Sequence, residues 1–553
     1  MFDIRCRSAY RPSAAVSAVG GGMMSRMTES KTTAVRIVNA RLVDNDHPVD
    51  VTVVNGVVAS VSPSDDHSST GNVSDVGNGD AGVASTDTAI GSTPIDTVDA
   101  DGRWIIPGLW DGHTHFTQWA ATFGRLDLLA ATSASEAMTM LRDYLDARRT
   151  SAEGLDPNAF VVGMRFRHSL WSDAEQPTLA AIDAVSGDQP VALSSADMHC
   201  GWVNSAAARR LGVHVGSSGL VGELEWFDAY CRLDDATGSE QLRMIDAAER
   251  DAAGKGVVGI CDYEMADTIS QWTARFAAGL DRLRVRAGIY PERIEQAVAD
   301  GWRGGDAIPG SHGLAHATTL KLISDGSLNT RSAYCSQPYS NITPETRGVL
   351  SYSPEAIEHY MTVARDNGFD VACHAIGDAA NAVVLDAFAH TGAHGAIEHA
   401  QQLQPNDVTR FAGLGLTASV QPQHAVDDRD VVSRYWAGMD AIPFPYRTLH
   451  NAGVPLRFGS DAPVAVLDPW VAMAAAVYRT DDDRDAYQPE QRLDLRTALA
   501  SSTFGQGIAP HAGMPADLVL LDRNPLAMVS PAELRSMPVA ATMCAGRWTH
   551  FAL

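Results

Sequence analysis

From Ala34 onward, apolar and polar positions alternate with a period of two through "AVRIVNARLV" and "DVTVVNGVVASVS", and β-branched residues dominate both runs. Such alternation predicts half-buried strands, and Asn55-Gly56 predicts a tight turn between two of them. The pattern lapses from Ser64 to Asp96, a segment with no Lys or Arg and almost no large apolar side chain. It cannot bury enough surface to offset its ordering entropy, so residues 64–96 are expected to be a disordered surface insertion. Residues 1–33 are expected to be a disordered extension. Their run "SAAVSAVGGGMM" is too rich in Gly and Ser for a secretory core, which suggests an over-long gene start, with Met23, Met24 or Met27 as the first residue.

After "GRWIIPGLWDGHTHF" the pattern changes, and short β-rich runs alternate with stretches of helical period. The runs include "TTLKLISDG", "FDVACHAIGD", "HGAIEHAQ", "LTASVQP" and "VPLRFGSDAP"; between them lie stretches such as "SPEAIEHYMTVARDNG" and "DAANAVVLDAFAHTG". Alternating β and α elements predict parallel strands with crossover helices, and a (β/α)8 TIM-type barrel is the expected architecture for residues 107–509. The tail returns to strands in "PADLVLLDRNP" and "VAATMCAGRWTHF". Paired with the first strands, it would make a composite β-sandwich from residues 34–106 and 510–553.

Composition narrows the partners. A formal net charge of −25 opposes nucleic acid and anionic membranes, because a polyanion would meet net repulsion and no basic run compensates. No apolar stretch reaches the roughly 20 residues that span a bilayer. The seven cysteines are scattered and never spaced C-x-x-C, the usage of a reducing cytoplasm. A small-molecule substrate is the expected partner, and the acidic surface is compatible with a homo-oligomer.

Polar residues recur at the same place in one run after another. His113 and His115 follow "WIIPGLW", Lys321 lies inside "TTLKLISDG", His374 ends "DVACH", His399 ends "GAIEH" and Asp461 ends "LRFGSD". Singly, each has an ordinary explanation: a strand-end histidine is usually a satisfied surface or core residue, and Asp461 could be a turn residue or helix cap. Jointly they form a ligand set, since the strand C-termini of such a barrel converge on one mouth. Imidazole nitrogens and carboxylates suit Zn2+ and related divalent ions, and His113 and His115, two apart in an extended segment, point the same way.

The ordered motifs "PGLWDGHTHF", "MHCGWVNSAA", "LKLISDGSLNTRSAY", "HAIGDAAN", "IEHAQ", "SVQPQH", "GSDAPV" and "ADLVLLDRNP" resemble the amidohydrolase superfamily, in its amidohydrolase 3 branch, from about Ala34 to the C-terminus. The resemblance implies one or two divalent metals, most simply zinc, at the barrel mouth. His113 and His115 would come from the first strand, Lys321 from the fourth, His374 from the fifth, His399 from the sixth and Asp461 from the eighth. Lys321 would either become a CO2-derived carbamate that bridges two metals or remain an ammonium that orients substrate. The strand count implies a cap insertion at about 120–250. The reaction implied is hydrolysis of a non-peptide C–N bond in a small amide, formamide or cyclic amide by metal-activated hydroxide, with Asp461 shuttling the proton. His199, Trp202, Glu223, Asp325, Arg331 and Gln421 are candidates for substrate contact. Deamination of an amidine-like or heterocyclic substrate is the alternative within the same chemistry, and a catalytically inactive small-molecule-binding barrel the alternative outside it.

Overall fold

The computed structural model describes residues 34–45, 47–64, 95–150, 154–168, 171–196, 200–233 and 238–553. The extension 1–33 and nearly all of the insertion 64–96 lie outside the described residues. One boundary of that insertion is corrected. Ile95 and Asp96 belong to a strand, Ile95–Asp99, that pairs in parallel with Ala34–Val38. The β-branched residues Ile95, Thr97 and Val98 give this segment its strand propensity.

The larger of two compact units contains residues 34–115, 249–461 and 465–553. Its centre is an α/β barrel of eight parallel strands: Leu109–Thr114, Val257–Asp262, Arg284–Ile289, Ala315–Ile323, Asp370–Ala375, Gly395–His399, Thr417–Val420 and Leu456–Phe458. Every residue of Val257–Asp262 is buried, as expected where both faces of a parallel sheet are covered. The intervening helices carry the expected punctuation. Pro354–Asp366 opens on Ser353, whose hydroxyl accepts the Ala356 N–H, and buries Ile357, Met361 and Ala364 along one stripe.

The seam between the eighth and first strands positions the site. The Asp461 N–H donates to the His113 carbonyl at 2.8 Å, and the Ser460 N–H donates to Asp111 Oδ1 at 2.9 Å. Two glycines allow this approach: a Cβ on Gly459 would sit 2.6 Å from the His113 nitrogen, and one on Gly112 would sit 2.8 Å from the Phe458 oxygen.

Both chain ends build a second sheet in the same unit. Its order runs Arg547–Phe551, Val539–Cys544, Leu518–Leu521, Trp104–Pro107, Ala34–Leu42, Pro48–Val54 and Val57–Pro63, with Ile95–Asp99 also on Ala34–Leu42. The N- and C-terminal segments join where Leu518–Leu521 pairs antiparallel with Trp104–Pro107. Asn55 and Gly56, at φ of 50° and 76°, make the two-residue turn between Pro48–Val54 and Val57–Pro63.

The smaller unit contains residues 116–248 and 462–464. Leu126–Asp127, Val161–Phe166, Val191–Ser195, Cys200–Val203 and Leu220–Gly222 form its five-stranded sheet, over a core that includes Leu141, Phe166, Trp171 and Leu193. Asn204 caps the helix Ser205–Leu211 by accepting the Ala207 N–H at 2.8 Å. Among the described residues, no helix is long and apolar enough to cross a membrane.

Candidate metal centre

The first barrel strand turns both His113 and His115 toward one carboxylate. Asp461 Oδ1 lies 3.5 Å from His113 Nε2 and 3.4 Å from His115 Nε2. Asp461 itself has φ of 59°, a left-handed backbone uncommon for a residue with a Cβ, and is held there by its hydrogen bond to His113. Burial works against its charge, but His113, His115 and His399 outweigh burial and hold the carboxyl well below its ordinary range.

The proton on His113 is assigned by its partner. Glu398 Oε2, a fully buried acceptor, sits 2.7 Å from His113 Nδ1, so Nδ1 carries the proton and Nε2 the lone pair. That lone pair faces Lys321 Nζ at 3.1 Å. Burial, reinforced by Lys321, lowers the His113 pKa to about 4, which keeps the ring neutral and fit to ligate. Lys321 is itself buried and lies 4.6 Å over the Tyr263 ring. Burial depresses its amine despite the opposing pull of Glu398 and Asp461.

The fifth and sixth strands bring in two more imidazoles. His374 Nε2 lies 3.2 Å from the Gly326 carbonyl; a carbonyl only accepts, so this nitrogen is the donor. The His374 and His399 rings are 4.5 Å apart, and those of His113 and His399 are 4.9 Å apart. Burial, with His374 and His113 beside it, holds His399 well below the usual imidazole range. All six residues read from the sequence as metal ligands therefore belong to one contact network.

The donor chemistry fits a divalent cation. Ligand nitrogens and oxygens about 2.1 Å from a tetrahedral ion are about 3.4 Å from each other, close to the spacing around Asp461 Oδ1. Buried His115 Nδ1, His399 Nδ1 and His424 Nε2 have no hydrogen-bond partner. Imidazole nitrogens without hydrogen-bond partners, gathered around one buried carboxylate, are a donor set that could hold a divalent ion.

The substrate candidates divide. Gln421 is buried, with Nε2 3.5 Å from His113 Nδ1. Asp325 approaches His374 Nε2 at 3.4 Å, but its oxygens also accept the N–H groups of Tyr334, Ile376 and Gly377, which ties two loops together. Arg331 donates to the Asn329 carbonyl at 2.8 Å and lies 5.6 Å over the Tyr435 ring. Trp202 is fully buried in the core of the smaller unit, its indole N–H donating to the Thr178 carbonyl at 3.2 Å. Glu223 opens the helix Glu223–Leu233, and His199 lies outside the described residues.

Two residues of the centre were not assigned from the sequence. Glu398 stands beside His399 in "IEHAQ", and His424 ends "SVQPQH", an imidazole just past a strand end like the others.

A sequence profile of the amidohydrolase family matches residues 96–550. The chain is 27% identical over 491 residues to Protein LONG AFTER FAR-RED 3 of Arabidopsis thaliana, covering 82% of this chain and 80% of that protein. It is 23% identical over 529 residues to N-substituted formamide deformylase of Arthrobacter pascens, covering 85% and 93%. Among solved structures, an uncharacterized metal-dependent hydrolase from Pyrococcus horikoshii superposes with a TM-score of 0.72 at 23% identity, covering 91% of this chain and 99% of that one.

Proposed function

The chain belongs to the amidohydrolase family, and we propose that it hydrolyses a non-peptide C–N bond in a small amide, formamide or cyclic amide. The observation that carries this reading is the Asp461 carboxylate, ionised and within 3.5 Å of both His113 and His115. The formamide-cleaving activity in the name of the Arthrobacter relative supports the choice of bond.

His113, His115 and Asp461 would hold a divalent ion, with zinc the best match to two imidazoles and a carboxylate. Lys321, His374 and His399 complete the set that the family resemblance implies. When bound, such an ion lowers the pKa of a coordinated water and polarises the carbonyl it faces. Glu398 holds His113 in the tautomer that ligates. Asp461 takes the proton from the attacking water and returns it to the leaving nitrogen, so the C–N bond breaks to carboxylate and amine. Lys321, buried and with its amine depressed, is suited to capture CO2 as a carbamate. Cys200, Cys261, Cys335, Cys373 and Cys544 are free thiols, which supports a cytoplasmic setting.

A panel of N-acyl amines, N-substituted formamides and cyclic amides, assayed on zinc-loaded protein for amine and ammonia release, tests this reading. Amine and carboxylate in equal amounts are expected, whereas stoichiometric ammonia from an amidine or heterocycle would make the enzyme a deaminase. Asp461→Asn should lower turnover by at least about 100-fold, the usual contribution of a positioned proton acceptor, and wild-type turnover in that variant would remove the role.

A further inference from the structure

Asp461 turns its two oxygens in different directions. Oδ1 faces His113 Nε2 and His115 Nε2 at 3.5 and 3.4 Å, while Oδ2 faces His424 Nε2 at 3.8 Å. His424 lies on the short helix Pro422–Asp427 after the seventh barrel strand, and its ring runs 10° from parallel to that of His399, with centroids 6.0 Å apart. Its Nε2 is buried and has no hydrogen-bond partner among the described residues. At 3.8 Å it is too far from Oδ2 to bond it directly.

Oδ2 is the oxygen turned away from the His113/His115 pair, so it is the one placed to carry the proton from the attacking water to the leaving nitrogen. To receive that proton the nitrogen must stand within hydrogen-bond distance of Oδ2, about 2.9 Å. A nitrogen there can also stand about 2.9 Å from His424 Nε2, because the two protein atoms are only 3.8 Å apart. The tautomer of His424 follows from its own helix. Asp427 and Asp428 stand three and four positions on, beside the ring, and acceptors there favour the proton on Nδ1 and leave the lone pair on Nε2. A buried lone pair calls for a donor, and a scissile amide that bears a hydrogen on nitrogen supplies one.

We propose that His424 determines specificity: its Nε2 accepts the N–H of the scissile amide, so the enzyme hydrolyses amides, formamides and lactams that bear a hydrogen on that nitrogen and rejects N,N-disubstituted ones. In the tetrahedral intermediate this hydrogen bond fixes the nitrogen with its lone pair toward Asp461. The lone pair takes the Asp461 proton, the C–N bond breaks with its electron pair going to nitrogen, and an amine and a carboxylate leave. An N-methyl group in place of the hydrogen would press on the buried imidazole and leave its lone pair unpaired, a mismatch that a polar site rejects strongly. The inference rests on the hydrolase reading above and adds to it the substituent pattern of the substrate.

Zinc-loaded full-length protein is assayed on the amides it turns over, beginning with N-butylformamide, N-butylacetamide and butyrolactam, each beside its N-methyl derivative. The wild type is compared with His424→Gln, whose side-chain oxygen still accepts an N–H, and with His424→Leu, which cannot; zinc content and circular dichroism are measured for each. The wild type should favour the N–H member of a pair by at least about 100-fold in kcat/KM, and His424→Gln should keep most of that preference. In His424→Leu the preference should fall below about 10-fold with zinc content unchanged. Equal turnover of both members by the wild type, or an undiminished preference in His424→Leu, would overturn the proposal and leave the hydrolase reading standing. Loss of zinc from a folded His424→Leu would overturn it too, since the imidazole would then be holding the ion. No hydrolysis of any amide by the wild type would overturn both readings. Should His424→Leu fail to fold, the wild-type pairs alone still decide against the proposal or for it.

Discussion

Glu398 is a fully buried carboxylate whose charge is committed inside the protein. Oε2 is 2.7 Å from His113 Nδ1, and Oε1 accepts from the Tyr263 hydroxyl at 3.4 Å. Burial pushes its pKa up, but His113 and Lys321 outweigh burial and keep it below the ordinary carboxylate value. On the proposed metal reading, Glu398 would be a positioning residue that directs the His113 lone pair toward the cation. Glutamine can still accept the Nδ1 proton but carries no charge, whereas leucine does neither. Glu398→Gln should weaken zinc binding by about 10-fold and Glu398→Leu by about 100-fold, read by competition with a chromophoric chelator. Wild-type affinity in the leucine variant would remove the role. Strand periodicity hides this residue, because neighbours on a strand point to opposite faces and 398 and 399 should not share a site. They share it because His399 leaves strand geometry at φ of 69°, which turns its ring toward His113. The side chains that obey simple periodicity, His113 and His115, were legible as neighbours; the pair that depends on a local backbone exception was legible only in part.

At the scale of elements, the sequence patterns reached the barrel strands and the amphipathic helices but not the closure of the barrel. The eighth strand spans only Leu456–Phe458, and its junction with the first depends on contacts across some 350 positions, such as Ser460 with Asp111. No local periodicity encodes that. Its trace in the sequence is a pair of glycines, Gly112 next to His113 and Gly459 two residues before Asp461. A Cβ on Gly459 would meet His113 backbone and Cβ atoms at 2.6 and 2.8 Å, neither of which is the yielding end of a side chain. Gly459→Ala should therefore cost about 1–3 kcal/mol in a denaturant titration and lower metal affinity as well, since the displaced atoms carry the His113 ligand. Gly413→Ala, where an added methyl meets nothing within 4 Å, is the control expected to leave both unchanged. Equal behaviour of the two variants would show that the seam is slack.

At the scale of the larger unit, a few buried charges connect parts distant in sequence. Asp517 joins the two-ended sheet to the barrel: Oδ2 takes Arg284 Nε at 2.6 Å, Oδ1 takes the Ala545 N–H at 2.7 Å, and its carbonyl takes the Gly108 N–H at 2.8 Å. Glu249 is less well compensated. It is fully buried; among the described residues Oε1 has no hydrogen-bond partner, and Oε2 meets the backbone N–H and guanidinium of Arg282 at 3.4 and 3.5 Å. Burial raises its pKa from 4.5 to about 7, more than the arginines lower it. As pH rises through 4.5 the unfolded chain ionises this carboxyl, while the folded chain keeps it protonated until about 7. Glu249 therefore contributes stability that is fully present below 4.5, is lost between 4.5 and 7, and is constant above that window. A shift of this size corresponds to an effect of order 3 kcal/mol. Urea titrations at pH 5 and pH 8 should show that the wild type loses more stability over the interval than Glu249→Gln, whose amide does not ionise. An identical pH dependence in the two proteins would mean that Glu249 is ionised in the fold and that the Arg282 contact is an effective ion pair.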